Sequence, residues 1–347
     1  MRRFLCFTFA LIAFAFLISG GVVIHALEAA TIPDLSEAGP SASTPRNIIL
    51  FSWDGLDRKV LKELLSARKL PFLAAVIEEG SYQNIDVRGH ATSTKPGHAE
   101  MLTGLAADVT GVWSNSRYRP VPEGYTVFER LKQEYGNEGI TTLFVAGKSA
   151  NVGGRGPGEY TSGKKKTGKK GGTANKPAKM GPGEPFYFTK RHLDVFDIGG
   201  RPAEKVGPRV MDYLEAHGHR RFFAFFHFSD PDHMGHRHGS GSTEYRQAGI
   251  ICDEWLGRVI QWLRFNDLYD RTLIYVTTDH GFVDNAKSHS NAPDCWLATN
   301  DPQVKTGGTI GDIASTILMR FGLAVARLIP PLSGRSLLEA EPLPSIH

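Results

Sequence analysis

Acidic residues stand at the ends of three strongly apolar stretches of this chain. The acids are Asp54, Asp232 and Asp279, and the stretches before them cover residues 47–53, 222–228 and 272–278. Each stretch is bounded by turn residues and predicts a buried strand. Because ligands bind outside the carboxyl ends of the strands in open α/β sheets, we expect the three carboxylates to share one edge. Three acids at one edge predict a cation site.

Histidines accompany two of these acids. His233 and His236 follow Asp232, His280 follows Asp279 directly, and His289 lies in the next predicted loop. A mixed set of Asp and His suits zinc or a similar transition ion better than magnesium or calcium, which prefer oxygen ligands. The candidates are too many for one tetrahedral ion and sufficient for two. Two ions roughly 4 Å apart are the usual device for in-line displacement at phosphorus.

A candidate nucleophile lies in residues 92–104, TSTKPGHAEMLTG. Thr94 takes the N-cap position of a predicted helix, with Pro96 in its first turn and Gly104 at its end. A hydroxyl there faces unpaired backbone N–H groups and the positive end of the helix dipole, so the position favours a bound anion. Plain helix capping is the simpler alternative.

Alternating strands and helices position these residues. A further strand is predicted over residues 140–146, and helices are predicted over residues 57–68, 71–79, 126–135, 204–216, 244–265 and 311–321. Alternation of this kind indicates an α/β fold with a mostly parallel central sheet and helices on both faces.

The composition is that of an ordinary globular protein, with 347 residues, 41% of them hydrophobic and 22% charged. One large domain over residues 47–347 is expected, with a Gly- and Lys-rich loop inserted at residues 151–185. The net charge of +4 is local, because residues 164–179 hold seven lysines and no acid. The remainder is mildly acidic, so we expect no nucleic-acid partner beyond nucleotides.

The N-terminus predicts export. Arg2 and Arg3 precede an uncharged run over residues 4–24, followed by small residues up to residue 30. This pattern is typical of a signal peptide, and the run also reaches the ~20 residues that span a bilayer. We expect a periplasmic or extracellular protein that is either cleaved and soluble or tethered by this segment, with residues 31–46 as a linker. Cys252 and Cys295 either pair there or remain buried thiols.

Four short motifs carry a family resemblance over residues 47–323. They are residues 54–55 (DG), 94–98 (TKPGH), 231–236 (PDHMGH) and 279–281 (DHG). Together they resemble the alkaline phosphatase superfamily, nearest to its type I phosphodiesterase/nucleotide pyrophosphatase branch. The resemblance implies an alkaline phosphatase-like core and two divalent ions of the zinc type. One ion would be held by Asp54, Thr94, Asp279 and His280, and the other by Asp232, His236 and His289.

The resemblance also implies a reaction. Thr94 would be the nucleophile of a metal-dependent hydrolase of small phosphoric esters, phosphodiesters or nucleotide pyrophosphates, through a covalent phospho-threonine. Asn115 would bind a non-bridging oxygen of the substrate, with an Asx-turn as the alternative. His238 competes with His289 as the third ligand of the second ion. The sequence assigns no role to the motif residue His98.

Other functions remain to be weighed. A phosphomonoesterase or phosphonate-ester hydrolase shares every metal ligand. A sulfatase requires Cys or Ser as the nucleophile and Arg four residues later, where this chain has Thr94 and His98. A phosphoethanolamine transferase carries several membrane spans, and only one candidate segment exists here. A non-catalytic, metal-stabilised envelope protein would not need to keep the threonine together with every ligand.

Overall fold

A continuous apolar run forms the first strand, β1 (Asn47–Trp53), and all seven of its residues are buried. In this computed structural model, which describes residues 46–158 and 182–338, β1 lies in the middle of an eight-stranded sheet. The other strands are β2 (Ser81–Asp86), β3 (Thr141–Ala146), β4 (Val195–Ile198), β5 (Phe222–Phe228), β6 (Thr272–Thr277), β7 (Asp294–Thr299) and β8 (Gly308–Thr309).

Nine α-helices accompany the sheet in the described residues. They are α1 (Arg58–Ser66), α2 (Pro71–Glu79), α3 (Thr94–Thr103), α4 (Ala107–Thr110), α5 (Val127–Gly139), α6 (Ala203–His217), α7 (Asp230–His238), α8 (Thr243–Phe265) and α9 (Asp312–Arg320). Their ends follow local chemistry. Asp57 caps α1 by accepting from two backbone N–H groups, and Thr126 and Glu129 form a capping box on α5.

The strand order in the sheet is β4-β3-β5-β1-β6-β7-β2-β8. β1 pairs in parallel with β5 and β6, and β7 runs antiparallel to both β6 and β2. The central strands therefore deliver their carboxyl ends to one edge, as expected. The predicted α/β class with a mostly parallel sheet is confirmed.

Alternating side chains of β1 serve two apolar cores. Phe51 and Trp53 pack with α1, α2, α6 and α8 on one face, whereas Ile48 and Leu50 pack with α3, α5 and α9 on the other. Both cysteines are free and buried, Cys252 in the first core and Cys295 in the second. The sheet separates them, which excludes the disulfide that the sequence left open.

Two sequence predictions lie outside the described residues. The N-terminal signal or anchor falls before residue 46, and most of the Lys-rich insertion falls between residues 158 and 182. The parts of that insertion that are described, residues 151–158 and 182–185, form neither helix nor strand. Within the described ranges, no helix has the length and apolar character needed to cross a membrane.

Candidate active site

The three acids predicted from the strand ends converge at one edge of the sheet. The Nε2 atom of His280 lies 3.6 Å from Asp54 Oδ1, 3.5 Å from Asp279 Oδ2 and 3.8 Å from Asp232 Oδ1. Hydrogen bonds from backbone N–H groups hold the cluster together, because Gly55 N donates to Asp279 Oδ1 and Asp232 N donates to the carbonyl oxygen of Asp54. Asp232 lies in the first turn of α7, a helix that the sequence analysis did not predict.

Two further histidines reach the same cluster. His236 Nε2 lies 3.3 Å and His289 Nε2 lies 3.8 Å from Asp232 Oδ1. In each ring the other nitrogen contacts a backbone carbonyl, that of Lys287 for His236 and that of Thr92 for His289. A carbonyl bonded at Nδ1 leaves Nε2 unprotonated in the neutral ring, as a metal ligand requires. His238, the competing candidate, is 3.8 Å from Glu244 instead.

Four buried atoms at the centre of this cluster lack a hydrogen-bond partner among the described residues. They are Asp54 Oδ1, Asp232 Oδ1, Asp279 Oδ2 and His280 Nε2. Buried polar atoms are almost always paired, so a group of four in one place requires an explanation. Their separations resemble the edge of about 3.3 Å between neighbouring ligands around a tetrahedral ion with bonds of about 2.0 Å. The donor set therefore fits divalent metal ions.

Ligand atoms fall into two groups that share His280. One group is Asp54, Asp279 and His280, and the other is Asp232, His280 and His289, each with its ligand atoms within 4.8 Å of one another. This division resembles the two sets expected from the sequence, except that His280 belongs to both groups and His236 to neither.

Thr94 lies beside the cluster at the start of α3, with 1% of its surface exposed. The N-cap is Ser93 rather than Thr94, which corrects the sequence prediction. Instead of a local cap, Asn115 reaches across from another loop and its Oδ1 accepts from the N–H of Lys95 at 2.9 Å. Thr94 is thereby left free of capping, and its Oγ1 accepts a hydrogen bond from Lys148 Nζ at 3.0 Å.

The contact of Asn115 changes how the helix start can bind an anion. The N–H of Lys95 is taken by Asn115, and Pro96 has no N–H. Fewer backbone donors are thus available than the sequence suggests, so side-chain donors become more important. The Asx-turn alternative for Asn115 is replaced by this long-range contact, which places its amide next to Thr94.

Lys148 is a residue that sequence reasoning missed. Its Nζ lies 2.7 Å from Asp54 Oδ2 and 2.6 Å from Asp232 Oδ2 in addition to its bond with Thr94. The signal for it was present, because Lys148 follows β3 at the same edge of the sheet. A lysine is not a metal ligand of the kind that the acids and histidines at that edge predict, so its role was not evident from the sequence.

His227 was missed as well, within the aromatic run of β5. Gly147 N donates to its Nδ1 at 3.3 Å, so its Nε2–H donates to Asp54 Oδ2 at 2.8 Å. This bond orients one carboxylate oxygen of Asp54. A lone histidine in an otherwise apolar strand was the available signal.

His98 now has a structural role. Its Nδ1 contacts the carbonyl of Thr94 at 2.8 Å, and its Nε2 contacts Ser52 Oγ at 2.9 Å. Burial is the largest cause that lowers the pKa of His98, to about 3. A neutral ring therefore links the first turn of α3 to β1 and fixes the backbone of Thr94.

Neighbouring charged groups give the three acids different pKa values. Burial alone raises the pKa of each carboxyl group. For Asp54 the Lys148 ammonium and the bond from His227 outweigh burial and hold the pKa well below its usual range. Asp232 has a pKa of about 2, because Lys148 and His236 outweigh burial and the charge of Asp54. Burial and the charge of Asp54 prevail at Asp279 and raise its pKa to about 6.

Comparison with known proteins agrees with this geometry. The model of the type I phosphodiesterase / nucleotide pyrophosphatase family matches residues 48–331. Bis(5'-adenosyl)-triphosphatase enpp4 of Mus musculus is 24% identical over 251 residues, which cover 71% of this chain and 49% of that protein. GPI ethanolamine phosphate transferase 1 of Homo sapiens is 25% identical over 297 residues, which cover 76% of this chain and 28% of that protein. The chain thus spans half or less of the length of these relatives.

Solved structures share the fold. Alkaline phosphatase from the Antarctic bacterium TAB5 has a TM-score of 0.52 at 14% identity, covering 80% of this chain and 98% of that chain. A 2-O GAG sulfatase has a TM-score of 0.59 at 12% identity, covering 86% and 76% of the two chains. At such low identity the likeness shows the fold alone, and it confirms the expected alkaline phosphatase-like core.

Proposed function

The chain belongs to the type I phosphodiesterase / nucleotide pyrophosphatase family, and on that premise we propose that it is a two-metal hydrolase of phosphoric esters. Phosphodiesters or nucleotide pyrophosphates are the proposed substrates, and a phospho-threonine at Thr94 is the proposed intermediate. One observation carries the proposal, namely the four buried atoms without hydrogen-bond partners that converge beside the Thr94 hydroxyl. A candidate nucleophile beside a metal-ligand set is the arrangement that identifies a candidate active site.

The residues divide the work as follows. Two divalent ions, of the zinc type, bound by Asp54, Thr94, Asp279 and His280 and by Asp232, His236 and His289, would supply Lewis-acid neutralisation of phosphate oxygens. The Thr94 hydroxyl gives its proton to solvent, and its oxygen bonds to phosphorus as the opposite bond to the leaving oxygen breaks. A water molecule then attacks phosphorus, the bond to Thr94 breaks and the hydroxyl takes up a proton again. Lys148 Nζ, 3.0 Å from Thr94 Oγ1, stabilises negative charge on that oxygen.

Positioning is the second part of the mechanism. His98 fixes the carbonyl of Thr94, and Asn115 fixes the N–H of the next residue, so the nucleophile is held on both sides. The Asn115 amide is bound through its oxygen, which leaves its NH₂ group to donate to a non-bridging oxygen of the substrate. A nucleophile held in this way loses little freedom on reaching the transition state.

A panel of chromogenic esters tests the proposal. Metal-loaded protein is expected to hydrolyse bis-p-nitrophenyl phosphate or p-nitrophenyl phosphate faster than the phenyl phosphonate and sulfate esters. Thr94→Ala should reduce kcat by about 10³-fold or more, because the attacking atom is lost. Thr103→Ala is the matched control, since Thr103 is a buried threonine at the far end of the same helix.

Acid quenching during turnover should trap phosphate on Thr94, detectable by mass spectrometry. A dominant sulfatase activity, or a Thr94→Ala variant as active as Thr103→Ala, would contradict the proposal. Bound metal without turnover in any variant would favour the envelope binding protein instead.

We also propose that the protein is exported. The charged and apolar pattern of residues 2–24 supports this. Fractionation of cells that express the full chain, with mass determination of the mature N-terminus, distinguishes a cleaved signal from a retained anchor. Recovery of the unprocessed chain in the cytoplasm would reject export.

A further inference from the structure

Lys95 is a nearly buried cation directly after the candidate nucleophile. Only 5% of the residue is exposed. Its Nζ donates to Asn151 Oδ1 at 3.0 Å and lies 4.3 Å from the ring centroid of Tyr118. An amide oxygen and an aromatic face thus hold the ammonium group in one place.

No carboxylate lies within 4 Å of this ammonium group among the residues that the structure describes. Glu184, whose charge acts on Lys95, is bound by Arg155, with 2.6 Å between a guanidinium nitrogen and Oε1. Lys148 differs in this respect, since it is paired with Asp54 and Asp232. Buried charges are normally paired, because desolvation of a lone ion is costly.

The hydrogen-bonding capacity of Lys95 also indicates that an anionic partner is missing. An ammonium group has three hydrogen-bond donors, and Asn151 accepts from one of them. The face of the Tyr118 ring attracts the group electrostatically. Neither partner carries a formal negative charge. The remaining capacity of Lys95 suits an anionic oxygen brought by a ligand.

The position of Lys95 identifies that ligand as the substrate. Its backbone N–H donates to Asn115, the residue beside the candidate nucleophile, and its ammonium group contacts Asn151 and Tyr118. The charge of Lys148, which binds the Thr94 hydroxyl, also acts on it. A simple phosphodiester carries one negative charge, which the metal ions and Asn115 already serve in the proposed function. An additional cation beside the nucleophile calls for additional negative charge.

We propose that Lys95, held by Tyr118 and Asn151, is a specificity-determining residue that binds a second negative charge on the substrate. This inference rests on the proposed function. The charge has two sources with the same chemistry: a second anionic oxygen on the reacting phosphoryl group of a monoester, or the adjacent phosphate of a nucleotide pyrophosphate.

Matched substrates separate these sources. Bis-p-nitrophenyl phosphate and p-nitrophenyl phosphate differ by the charge on the reacting group. The second pair consists of thymidine 5'-triphosphate and the p-nitrophenyl ester of thymidine 5'-monophosphate. Both contain thymidine, but only the triphosphate has further phosphates next to the reacting one. In Lys95→Met, kcat/KM should fall about 10- to 100-fold more for the more highly charged member of one pair than for its partner. The affected pair identifies the source of the charge.

Two further variants keep the test independent of folding. Asn151→Asp places a carboxylate against Lys95, so it should cause the same selective loss while the lysine is retained. Lys95→Arg retains the charge and should preserve the selectivity. Lys62→Met is the control, since Lys62 lies 5.6 Å from the ring of Tyr82, a lysine–tyrosine pair outside the site, and should change neither ratio.

An equal loss on both members of each pair, or no loss, in Lys95→Met and Asn151→Asp would overturn the role of Lys95. That result is distinct from a failure of the proposed function, in which wild-type protein loaded with metal hydrolyses none of the four substrates. A wild type that is active on them, combined with unselective variants, rejects only the inference about Lys95.

Discussion

His227 illustrates how one side chain outside the candidate ligand set orients a member of that set. Its protonated Nε2 binds one oxygen of Asp54, while the other oxygen of Asp54 faces the cluster without a hydrogen-bond partner in the described structure. Because the carboxylate is held at one oxygen, its second oxygen points in a defined direction. Partners of this kind raise metal affinity by reducing the reorganisation that binding requires.

Replacing His227 should therefore weaken metal binding. In His227→Phe, which suits the aromatic strand around it, we expect metal affinity to fall about 10- to 100-fold, measured by competition with a chromogenic chelator. His233→Gln is the control, since His233 is exposed on α7. An unchanged affinity in His227→Phe would show that Asp54 is oriented by Lys148 alone.

At the level of elements, the packing of α3 against the end of β6 sets the position of Thr94, the candidate nucleophile. Gly97 lies at the contact, where an added Cβ would stand 2.5 Å from the carbonyl oxygen of Asp279 and 3.0 Å from its Cβ. Backbone atoms cannot give way as a flexible side chain can. Glycine at this position allows the helix start to touch the strand end that carries the candidate metal ligand Asp279.

Gly97→Ala should push the start of α3 away from Asp279. We expect a destabilisation of about 1–3 kcal/mol from overpacking, together with a fall in kcat of about 10²-fold because Thr94 is displaced. Denaturant unfolding and ester hydrolysis measure the two effects. Gly200→Ala is the control, since nothing lies within 4 Å of a Cβ there. Full activity in Gly97→Ala would mean that the helix start tolerates the displacement.

A second contact between elements is pH-dependent. Asp253 of α8 accepts hydrogen bonds from the N–H groups of Phe72 and Leu73, and so caps α2 from a distance. Burial outweighs these two bonds and raises the pKa of Asp253 from 3.8 to about 6. The folded state consequently binds a proton that the unfolded chain releases between these two values.

The sign follows from proton linkage. A raised pKa contributes stability that is present below about pH 4 and is lost as the pH rises through about 6. Relative to wild type, Asp253→Asn should therefore gain unfolding free energy between pH 4 and pH 7, by up to about 3 kcal/mol. Chemical denaturation at several pH values, with chelator present in all samples, measures it. A constant difference between the two proteins would mean that Asp253 ionises at its ordinary pKa.

For the whole molecule, the candidate metal centre joins parts of the chain that are distant in sequence. Asp54 follows β1, Asp232 lies in α7 and Asp279 follows β6, so bound ions would tie both halves of the described chain to one point. Ions that bind the folded state but not the unfolded chain stabilise the former by mass action.

Removal of metal should consequently lower both activity and stability. At metal concentrations about 100-fold above the dissociation constant, we expect stabilisation of about 2.7 kcal/mol per ion, seen as a rise in Tm that a chelator reverses. Asp279→Asn should reduce this metal-dependent rise, whereas Asp284→Asn, at an exposed surface ion pair, should retain it. A Tm that does not respond to metal or chelator would argue against bound ions in the folded protein.

Much of the architecture was predictable because its central strands are continuous apolar runs. β1 and β5 occur over the predicted residues, as does α2, whose Pro71 marks its start. The edge strand β4, and β2 next to the two-residue edge strand β8, were not predicted, since their residues are partly exposed and their apolar pattern is weak. α7 was missed because its polar sequence carries no apolar periodicity.

The sequence by itself determined which acids and histidines could meet, because carboxyl ends of parallel strands necessarily share an edge. It also identified Thr94 through its place in a recognisable motif. Only the tertiary structure decided that Lys148 and His227 reach this cluster and that Asn151 and Tyr118 contact the ammonium group of Lys95. Their roles depend on which side chains approach across the sheet and between loops, and such long-range pairing leaves no periodic trace in the chain. The sequence alone showed neither the bond from Lys148 to the Thr94 hydroxyl nor the contact of Asn115 with the N–H of Lys95, because both depend on how the loops pack together.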